Sequence, residues 1–472
     1  MAAVRPVPDR SVTTSVRDPG SFRDPSGFVF RRNGILYRQI NVAFAAEWDA
    51  FIGSGLAERL IGDGRLVDHD EAGLEMAAAP AAYRVIRPRP LGFISYPYEW
   101  TFSELRDAAL LTLDVQAAAL EAGFTLRDAS AYNVQFDRGR PILIDSLSFE
   151  PVVPGEPWVA YRQFCEHFLA PLALMSYVDI RLGRLQREFI DGVPLDLTAR
   201  LLPRRTRLRL GLAAHIHLHA RAQRRYADRA DAARAVSISP TRQHALLASL
   251  RETVGKLDWS PTGTEWVDYA ENTSYDERAT ASKRELVAQQ LAAAGGRTVW
   301  DLGANTGAYS RIAAEQGREV LAFDIDPAAA ERNYRAVRGD GLTTILPLVM
   351  DVADPSPGLG WANAERAPLL SRPGPDVVLA LALVHHLAIG RNVPLPAMAE
   401  LLAGLAPHVI LEFVPKDDPM VRRLLASRRD IFPDYHLDGL RAAFGPLFDV
   451  ASEAPIAASP RTILHLRRRS LD

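Results

Sequence analysis

One stretch in the C-terminal half limits the possible folds more than any other, and it reads RTVWDLGANTGAYSRIAAEQGREVLAFDID (297–326). An apolar run ends at Gly303, a second glycine follows at Gly307, and an amphipathic helical pattern comes directly after it. A further apolar run then ends in Asp324. The pattern predicts a β-α-β unit with a glycine turn after the first strand and an acid at the tip of the second.

The spacing of the glycines indicates which ligand such a unit could bind. A dinucleotide site requires G-x-G-x-x-G, because the pyrophosphate lies on the helix N-terminus. This chain has G-x-x-x-G, and Asp301 precedes it, where an acid would repel a pyrophosphate. A positively charged aminoacyl sulfonium suits the acid better, and an acid after the second strand can accept hydrogen bonds from both hydroxyls of a ribose. A turn that binds nothing is the alternative.

The stretch resembles motif I of the class I S-adenosylmethionine-dependent methyltransferases, in which an acid precedes G-x-G-x-G. Asn305 replaces the middle glycine, and Asn tolerates left-handed backbone better than other non-glycine residues. The resemblance implies an α/β fold with a Rossmann-like seven-stranded sheet over residues 276–472. It also implies a cofactor site with Asp301, Gly303, Asn305 and Gly307 around the aminoacyl end, Asp324 on the ribose and Asp351 near the adenine.

Candidate catalytic residues follow the predicted fourth and fifth strands. The run PDVVLALALVHHL reads as a buried strand that delivers His385 and His386, and HVILEFV ends near Glu412. Histidine can remove a proton from a hydroxyl near neutral pH. Either histidine could therefore act as the base, or one could pack behind the site and the pair could carry no base. The fourth strand also lacks the N-P-P-Y-type motif that amino-directed members of the resembled family carry, so the resemblance favours O-methylation over N- or C-methylation.

A second candidate site lies in the N-terminal half, in GFTLRDASAYNVQFDRGRPILIDSLSFE. Asp128, Asn133 and Asp145 have the order of a catalytic loop and metal ligand, and the segment resembles protein-kinase-like and aminoglycoside-phosphotransferase-like domains. The resemblance implies an α+β domain with an ATP and magnesium site. No lysine precedes Lys256, so Arg38 is the nearest substitute for the phosphate-binding lysine. An active phosphotransferase, a degenerate domain that only binds nucleotide or positions the acceptor, and an unrelated module remain open.

Length and composition set the domain organisation. A chain of 472 residues with 48% hydrophobic side chains should form two or three domains. The predicted boundaries are a flexible arm over 1–26, an α+β domain over 27–235, a linker or lid over 236–275 and the methyltransferase domain over 276–472. Tyr269 and Tyr275 are the lid candidates.

Charge and cysteine content exclude several classes. A formal net charge of −2 argues against a protein that coats nucleic acid, and the single cysteine, Cys165, excludes an internal disulfide. Without a signal peptide or an apolar membrane span, a cytoplasmic location is expected.

The possible partners are less closely limited. The segment between 200 and 229 is rich in arginine, which predicts a solvated helical face or an RNA-binding surface. The arginines are Arg204, Arg205, Arg207, Arg209, Arg221, Arg224 and Arg225. His215 and His219 are expected to be structural. A small-molecule acceptor is expected for a methyltransferase. The layout also resembles methyltransferases of the nodulation-protein type, which implies a glycan acceptor. A nucleotide-sensing or RNA-binding scaffold is the alternative function, and the oligomeric state has no sequence signal.

Overall fold

The computed structural model describes residues 15–219, 221, 237–264, 276–426 and 428–470. Tyr269, Tyr275, Arg224 and Arg225 lie outside the described residues. Within them, an N-terminal α+β part precedes a C-terminal α/β sheet, which confirms the predicted fold class.

The N-terminal part begins with a five-stranded antiparallel sheet of order β1-β2-β3-β5-β4. Its strands are β1 Ser15–Arg17, β2 Gly27–Arg32, β3 Ile35–Asn41, β4 His69–Ala72 and β5 Ala82–Pro88. Asn33 and Gly34, at φ 52° and 79°, form the turn of the β2-β3 hairpin, where an Asn-Gly pair suits the positive φ of both positions. Within the predicted arm over 1–26, residues 15–17 form β1, which extends this sheet, and Arg23 forms an ion pair with Glu365.

Helices α1 Ala45–Gly53 and α2 Leu56–Gly62 precede the long α3 Phe102–Glu121. Ser103, the second residue of α3, does not cap this helix. Thr101 is the N-cap, since its hydroxyl accepts the N–H of Glu104 while the Glu104 carboxylate accepts the N–H of Thr101. Ser103 instead donates its backbone N–H to Glu331 of the C-terminal part, at 3.0 Å.

The rest of the N-terminal part is mainly helical. Two short strand pairs come first, β6 Phe124–Leu126 with β9 Phe149–Pro151 and β7 Val134–Asp137 with β8 Arg140–Leu143. The helices that follow are α4 Tyr161–Phe164, α5 Ala170–Tyr177, α6 Leu185–Glu188, α7 Leu195–Leu201, α8 Leu210–Leu212 and α9 Pro240–Gly255. Because α9 packs on α3 through the buried Leu247, Leu250 and Val254, residues 240–255 of the predicted linker are part of the domain core.

The C-terminal part is a seven-stranded sheet of order β12-β11-β10-β13-β14-β16-β15. Its strands are β10 Thr298–Leu302, β11 Glu319–Asp324, β12 Ile345–Val349, β13 Val377–Ala380, β14 His408–Phe413, β15 Phe448–Pro455 and β16 Thr462–Arg468. The first five are parallel, and β16 lies antiparallel between β14 and β15. The helices are α10 Glu277–Ala294, α11 Ala308–Glu315, α12 Pro327–Gly339, α13 Leu395–Leu405, α14 Pro419–Leu425 and α15 Leu437–Phe444.

The fourth strand is shorter than its apolar run suggested. β13 ends at Ala380, the chain turns through Ala382 at φ 50°, and a π-helical turn covers His386–Gly390. The two histidines therefore lie in a helical turn beyond the strand.

The two parts are joined by buried polar contacts. The Arg372 guanidinium donates to both carboxylate oxygens of Glu99 at 2.9 and 2.7 Å, and its plane lies over the ring of Tyr96 at 4.4 Å. The Tyr334 hydroxyl donates to Asp107 at 2.8 Å. The N-terminal part is thus held against the methyltransferase-like sheet by specific, desolvated pairs. Among the described helices, none has the length and apolar character that crossing a membrane requires.

Candidate active site

A cavity of about 570 Å³ opens over the carboxyl ends of β10, β11 and β13. Ligands of open α/β sheets bind at this edge, because the loops that leave the strands converge there. Six predicted site residues from separate segments line its wall: Asp301, Gly303, Asn305, Asp324, Asp351 and His386. Residues that were not predicted also line it, among them Thr280, Lys283, Tyr309, Arg391 and Arg461.

The glycine turn has the backbone that its sequence requires. Gly303 and Gly307 have φ of 78° and 82°, and a Cβ on Gly307 would lie 2.3 Å from Oδ1 of Asn333. Asn305 adopts the left-handed region at φ 50°, and its own side-chain oxygen accepts the N–H of Thr306 at 2.8 Å. Asn therefore replaces the middle glycine of the motif without loss of the turn.

Asp324 connects the tip of the second strand to this turn. One carboxylate oxygen accepts the N–H of Asn305 at 2.7 Å, and the other accepts the N–H of Asp326 at 2.8 Å. Each oxygen keeps a further lone pair for a ligand hydroxyl. Burial raises the pKa of Asp324 to about 6, against the two backbone hydrogen bonds that lower it.

Asp301 is the second buried acid of the cavity. Its carboxylate accepts a hydrogen bond from the hydroxyl of Ser310 at 2.6 Å, and burial raises its pKa to about 6. A buried carboxylate in this condition is stabilised in its charged form by a nearby cation. The pair of acids therefore fits a ligand that brings both a positive charge and ribose hydroxyls, as S-adenosylmethionine does.

Asp351 lies at the rim of the cavity, where its carboxylate has partners from the protein. It accepts the N–H of Ala353 and a hydrogen bond from Arg391, both at 2.9 Å. Arg391, half exposed, thereby links the loop after β13 to the loop after β12.

The two histidines have different surroundings. The side chain of His386 lines the cavity, and burial, with Arg461 as a smaller cause, lowers its pKa to about 4. His385 is fully buried with its ring centroid 4.0 Å from that of His386, and burial holds its pKa well below the usual value. Both imidazoles are therefore uncharged at neutral pH, and only His386 of the two contributes to the described cavity wall.

Glu412 lies beneath the cavity wall as part of a buried charge cluster. Its carboxylate forms ion pairs with Nζ of Lys283 at 2.7 Å and with the guanidinium of Arg461 at 3.2 Å. Arg461 also binds Asp418 at 2.7 Å. In the described cavity the two cations, and not Glu412, form part of the wall.

Sequence reasoning missed Lys283 and Arg461, although Lys283 carried a signal. It shares one face of α10 with the buried Ala279, Val287 and Leu291, at intervals of four residues. A lysine inside such an apolar stripe requires a buried partner, because an unpaired buried charge is strongly unfavourable. Arg461 follows a Pro/Ser turn and had no comparable signal.

In the predicted nucleotide site of the N-terminal part, Asp128 and Asp145 accept hydrogen bonds from other groups of the protein. Asp145 accepts hydrogen bonds from the Arg38 guanidinium, from the hydroxyl of Ser148 and from the N–H of Leu147. Burial alone would raise the pKa of Asp145, and Arg38 and Ser148 reverse this and lower it. Asp128 accepts the N–H of Ser130 at 2.8 Å. Across the described residues, no group of three or more His, Cys, Asp or Glu side chains is placed to hold a metal ion.

The strand order, the left-handed glycine turn and the acids of the cavity define a class I S-adenosylmethionine-dependent methyltransferase. Comparison with models of protein families gives no match. The chain is 39% identical over 463 residues to the nodulation protein NoeA of Rhizobium meliloti (strain 1021), with 96% of each chain covered. The chain belongs to the NoeA family of nodulation proteins.

Solved structures similar to this chain are more distant. Magnesium protoporphyrin IX methyltransferase (ChlM) from Synechocystis PCC 6803 is 19% identical over 44% of this chain and 88% of its own, with a TM-score of 0.30. The N-methyltransferase NodS from Bradyrhizobium japonicum WM9 is 10% identical over 41% and 99%, at 0.31. The bifunctional kinase-methyltransferase WbdD is 16% identical over 46% and 45%, at 0.29. At these low scores, the assignment of the class depends on the strand order and the site of this chain.

The pKa values of the two acids predict how cofactor binding depends on pH. Asp301 and Asp324 are protonated below about pH 6 in the free protein, whereas contacts to a cation and to ribose hydroxyls favour their charged forms. We expect the affinity for S-adenosylhomocysteine to be constant above about pH 7. Below pH 6 it should fall roughly tenfold per pH unit for each acid that must lose its proton. Calorimetry between pH 5 and 8 measures this, and an affinity that rises towards acid would contradict it.

Proposed function

We propose that the chain transfers a methyl group from S-adenosylmethionine, bound in this cavity, to an oxygen of a small-molecule or glycan acceptor. The observation that carries the proposal is the position of Asp301 and Asp324 on neighbouring strands, on either side of the left-handed turn at Gly303. Those groups suit a ligand with a cationic end and a ribose, and the neutral His386 lies on the same cavity wall.

In this proposal the predicted residues keep the places that the resemblance assigned to them. Asp301, Gly303, Asn305 and Gly307 surround the aminoacyl end of the cofactor. Asp324 binds the ribose hydroxyls, and Asp351 lies near the adenine. When bound, S-adenosylmethionine supplies an activated methyl group. The protein then has to align an acceptor oxygen in line with the bond that breaks, which lowers the barrier without a covalent intermediate.

The proposed base is His386. The ring is uncharged at neutral pH, although burial lowers its pKa and so makes it a weaker base than a free imidazole. An acceptor hydroxyl becomes strongly acidic as its oxygen gains the methyl group, so a ring nitrogen of this weak base can still take the proton. His385 packs behind it and holds the ring in place. Glu412 has an indirect role, because its ion pairs hold Lys283 and Arg461 at the cavity wall.

The acceptor class is proposed from the resemblance to nodulation-type methyltransferases, which favours a glycan. The N-terminal part, joined to the sheet through Glu99 and Arg372, is proposed to help position that acceptor.

The test is transfer of tritiated methyl groups from S-adenosylmethionine into fractionated cell extract, followed by mass spectrometry and carbon NMR of the labelled product. A methoxy carbon is expected, and His386→Gln should lower kcat far more than it changes the affinity for S-adenosylhomocysteine. Label on nitrogen would exclude O-methylation. A protein that binds no S-adenosylhomocysteine would overturn the assignment of the cofactor site.

For the N-terminal part we propose that the domain does not act as a kinase. Arg38 replaces the lysine that positions phosphates, and it is already bound to Asp145, the expected metal ligand. We expect no transfer of phosphate from ATP with magnesium. A parallel melting experiment detects binding without turnover, since a ligand at a hundredfold its Kd adds about 2.7 kcal/mol of stability. Phosphate transfer that disappears in Asp128→Ala would contradict the proposal.

A further inference from the structure

The two most exposed large apolar side chains of the described residues lie side by side among arginines. Leu208 and Leu210 are 85% and 89% exposed, and Arg209 lies between them. Three more exposed arginines precede them in the same segment, Arg204, Arg205 and Arg207. We call residues 204–210 the leucine-arginine corner. Single exposed leucines are common on protein surfaces, but two at this level within a basic cluster require an explanation.

The corner is held firmly by its inward-facing residues. Thr206 is fully buried, and its hydroxyl donates to the carbonyl of Pro203 at 2.7 Å and contacts the ring of His217 at 2.8 Å. Leu212, two residues after the corner, is also buried. A Cβ on Gly211 would lie 1.9 Å from the Thr253 hydroxyl, so the backbone is packed tightly against α9. The outward direction of the two leucines is therefore a property of a packed segment.

Along the sequence, the charge around the corner is of one sign. The sequence contains no Asp or Glu between Asp196 and Asp228. Within the part of the chain that the structure describes, no carboxylate forms an ion pair with Arg204, Arg207 or Arg209. An uncompensated cluster of this kind attracts anionic surfaces, and the guanidinium group binds phosphate through two parallel hydrogen bonds.

We propose that the leucine-arginine corner docks on the surface of an anionic lipid bilayer. The arginines bind the headgroup phosphates, and Leu208 and Leu210 enter the boundary between headgroups and acyl chains. This combination of leucines and arginines favours a membrane over RNA. Protein surfaces that bind single-stranded RNA stack its bases on aromatic rings, and exposed leucines add little to the affinity for RNA. Residues 197–225 contain no Phe, Tyr or Trp, and the ring of Tyr177, 6.0 Å from the guanidinium carbon of Arg205, is half-buried. The inference concerns attachment to a surface and is independent of the proposed methyl transfer.

Sedimentation of the full chain with vesicles tests the proposal. Vesicles of phosphatidylcholine with phosphatidylglycerol should bind the protein, vesicles of phosphatidylcholine alone should bind it weakly, and salt should weaken binding to the former. The double substitution Leu208→Ser with Leu210→Ser should lower the partition coefficient at least about tenfold while leaving the salt dependence. Replacing Arg204, Arg205 and Arg207 by Gln should remove the preference for phosphatidylglycerol.

Matched controls come from elsewhere on the surface. Ile431→Ser changes another exposed apolar residue, and Arg422→Gln with Arg423→Gln removes exposed charges from α14; both variants should bind vesicles like the unchanged chain. Melting curves confirm that the variants fold. Unchanged vesicle binding in the leucine variant would overturn the proposal. So would binding of single-stranded RNA that depends on the arginines but not the leucines, or a leucine-dependent dimer that binds no vesicles.

Discussion

Replacing Asp324 by alanine is expected to weaken the binding of S-adenosylhomocysteine at least about hundredfold. In the proposed site the substitution removes the acceptor for two ribose hydroxyls, and a hydrogen bond to a charged group contributes about 1.5–3 kcal/mol. It also leaves the N–H groups of Asn305 and Asp326 without the carboxylate that orders the glycine turn. Calorimetry on the purified chain measures the change directly.

Asp376 offers a matched control for this experiment. Its carboxylate accepts the N–H groups of Arg297 and Thr298 at 2.6 and 3.0 Å, so Asp376→Ala loses a similar pair of hydrogen bonds. It precedes β13 and contacts the start of β10, at the opposite edge of the sheet from the cavity. Asp376→Ala should bind the ligand normally. If Asp324→Ala binds as tightly as this control, Asp324 does not hold the ribose.

The second large effect is expected at the junction of the two parts. Arg372→Met should lower the free energy of unfolding by about 3–5 kcal/mol, because it leaves the carboxylate of Glu99 charged, buried and without its partner. Both side chains of this pair are almost completely shielded from solvent. Urea denaturation followed by tryptophan fluorescence measures the shift in the midpoint, and two separate transitions would show that the parts have lost their coupling.

Two further variants give this prediction its reference. Arg87→Met breaks the pair with Asp70, whose side chains are 53% and 70% exposed, and should change stability by less than about 1 kcal/mol. Adding Glu99→Gln to Arg372→Met removes the buried charge and should recover part of the loss. Equal effects of Arg372→Met and Arg87→Met would mean that the buried pair does not hold the parts together.

Local patterns were enough to predict much of the C-terminal half. The apolar runs and the amphipathic helical pattern of 297–326 predicted a β-α-β unit, which is present, and the resemblance to class I methyltransferases implied the seven-stranded sheet that contains it. The errors also have local causes. The apolar run before His385 was read as one strand, but a short strand and a buried helical turn are equally apolar, and only Ala382 at positive φ separates them. In the N-terminal half, the sequence of α9 predicts a linker, because many polar residues separate the few apolar residues of its buried face.

The sequence by itself determined the β-α-β unit, its turn and the acids at the strand ends, because positive φ, apolar periodicity and strand-end position are properties of neighbouring residues. Only the tertiary structure decided that His386 reaches the cavity while His385 packs behind it. It also decided that Arg38 pairs with Asp145, and that Glu412 serves Lys283 and Arg461. Each of these outcomes joins residues distant in the chain or depends on burial, and the electrostatics of a buried group are set by whatever the fold packs against it.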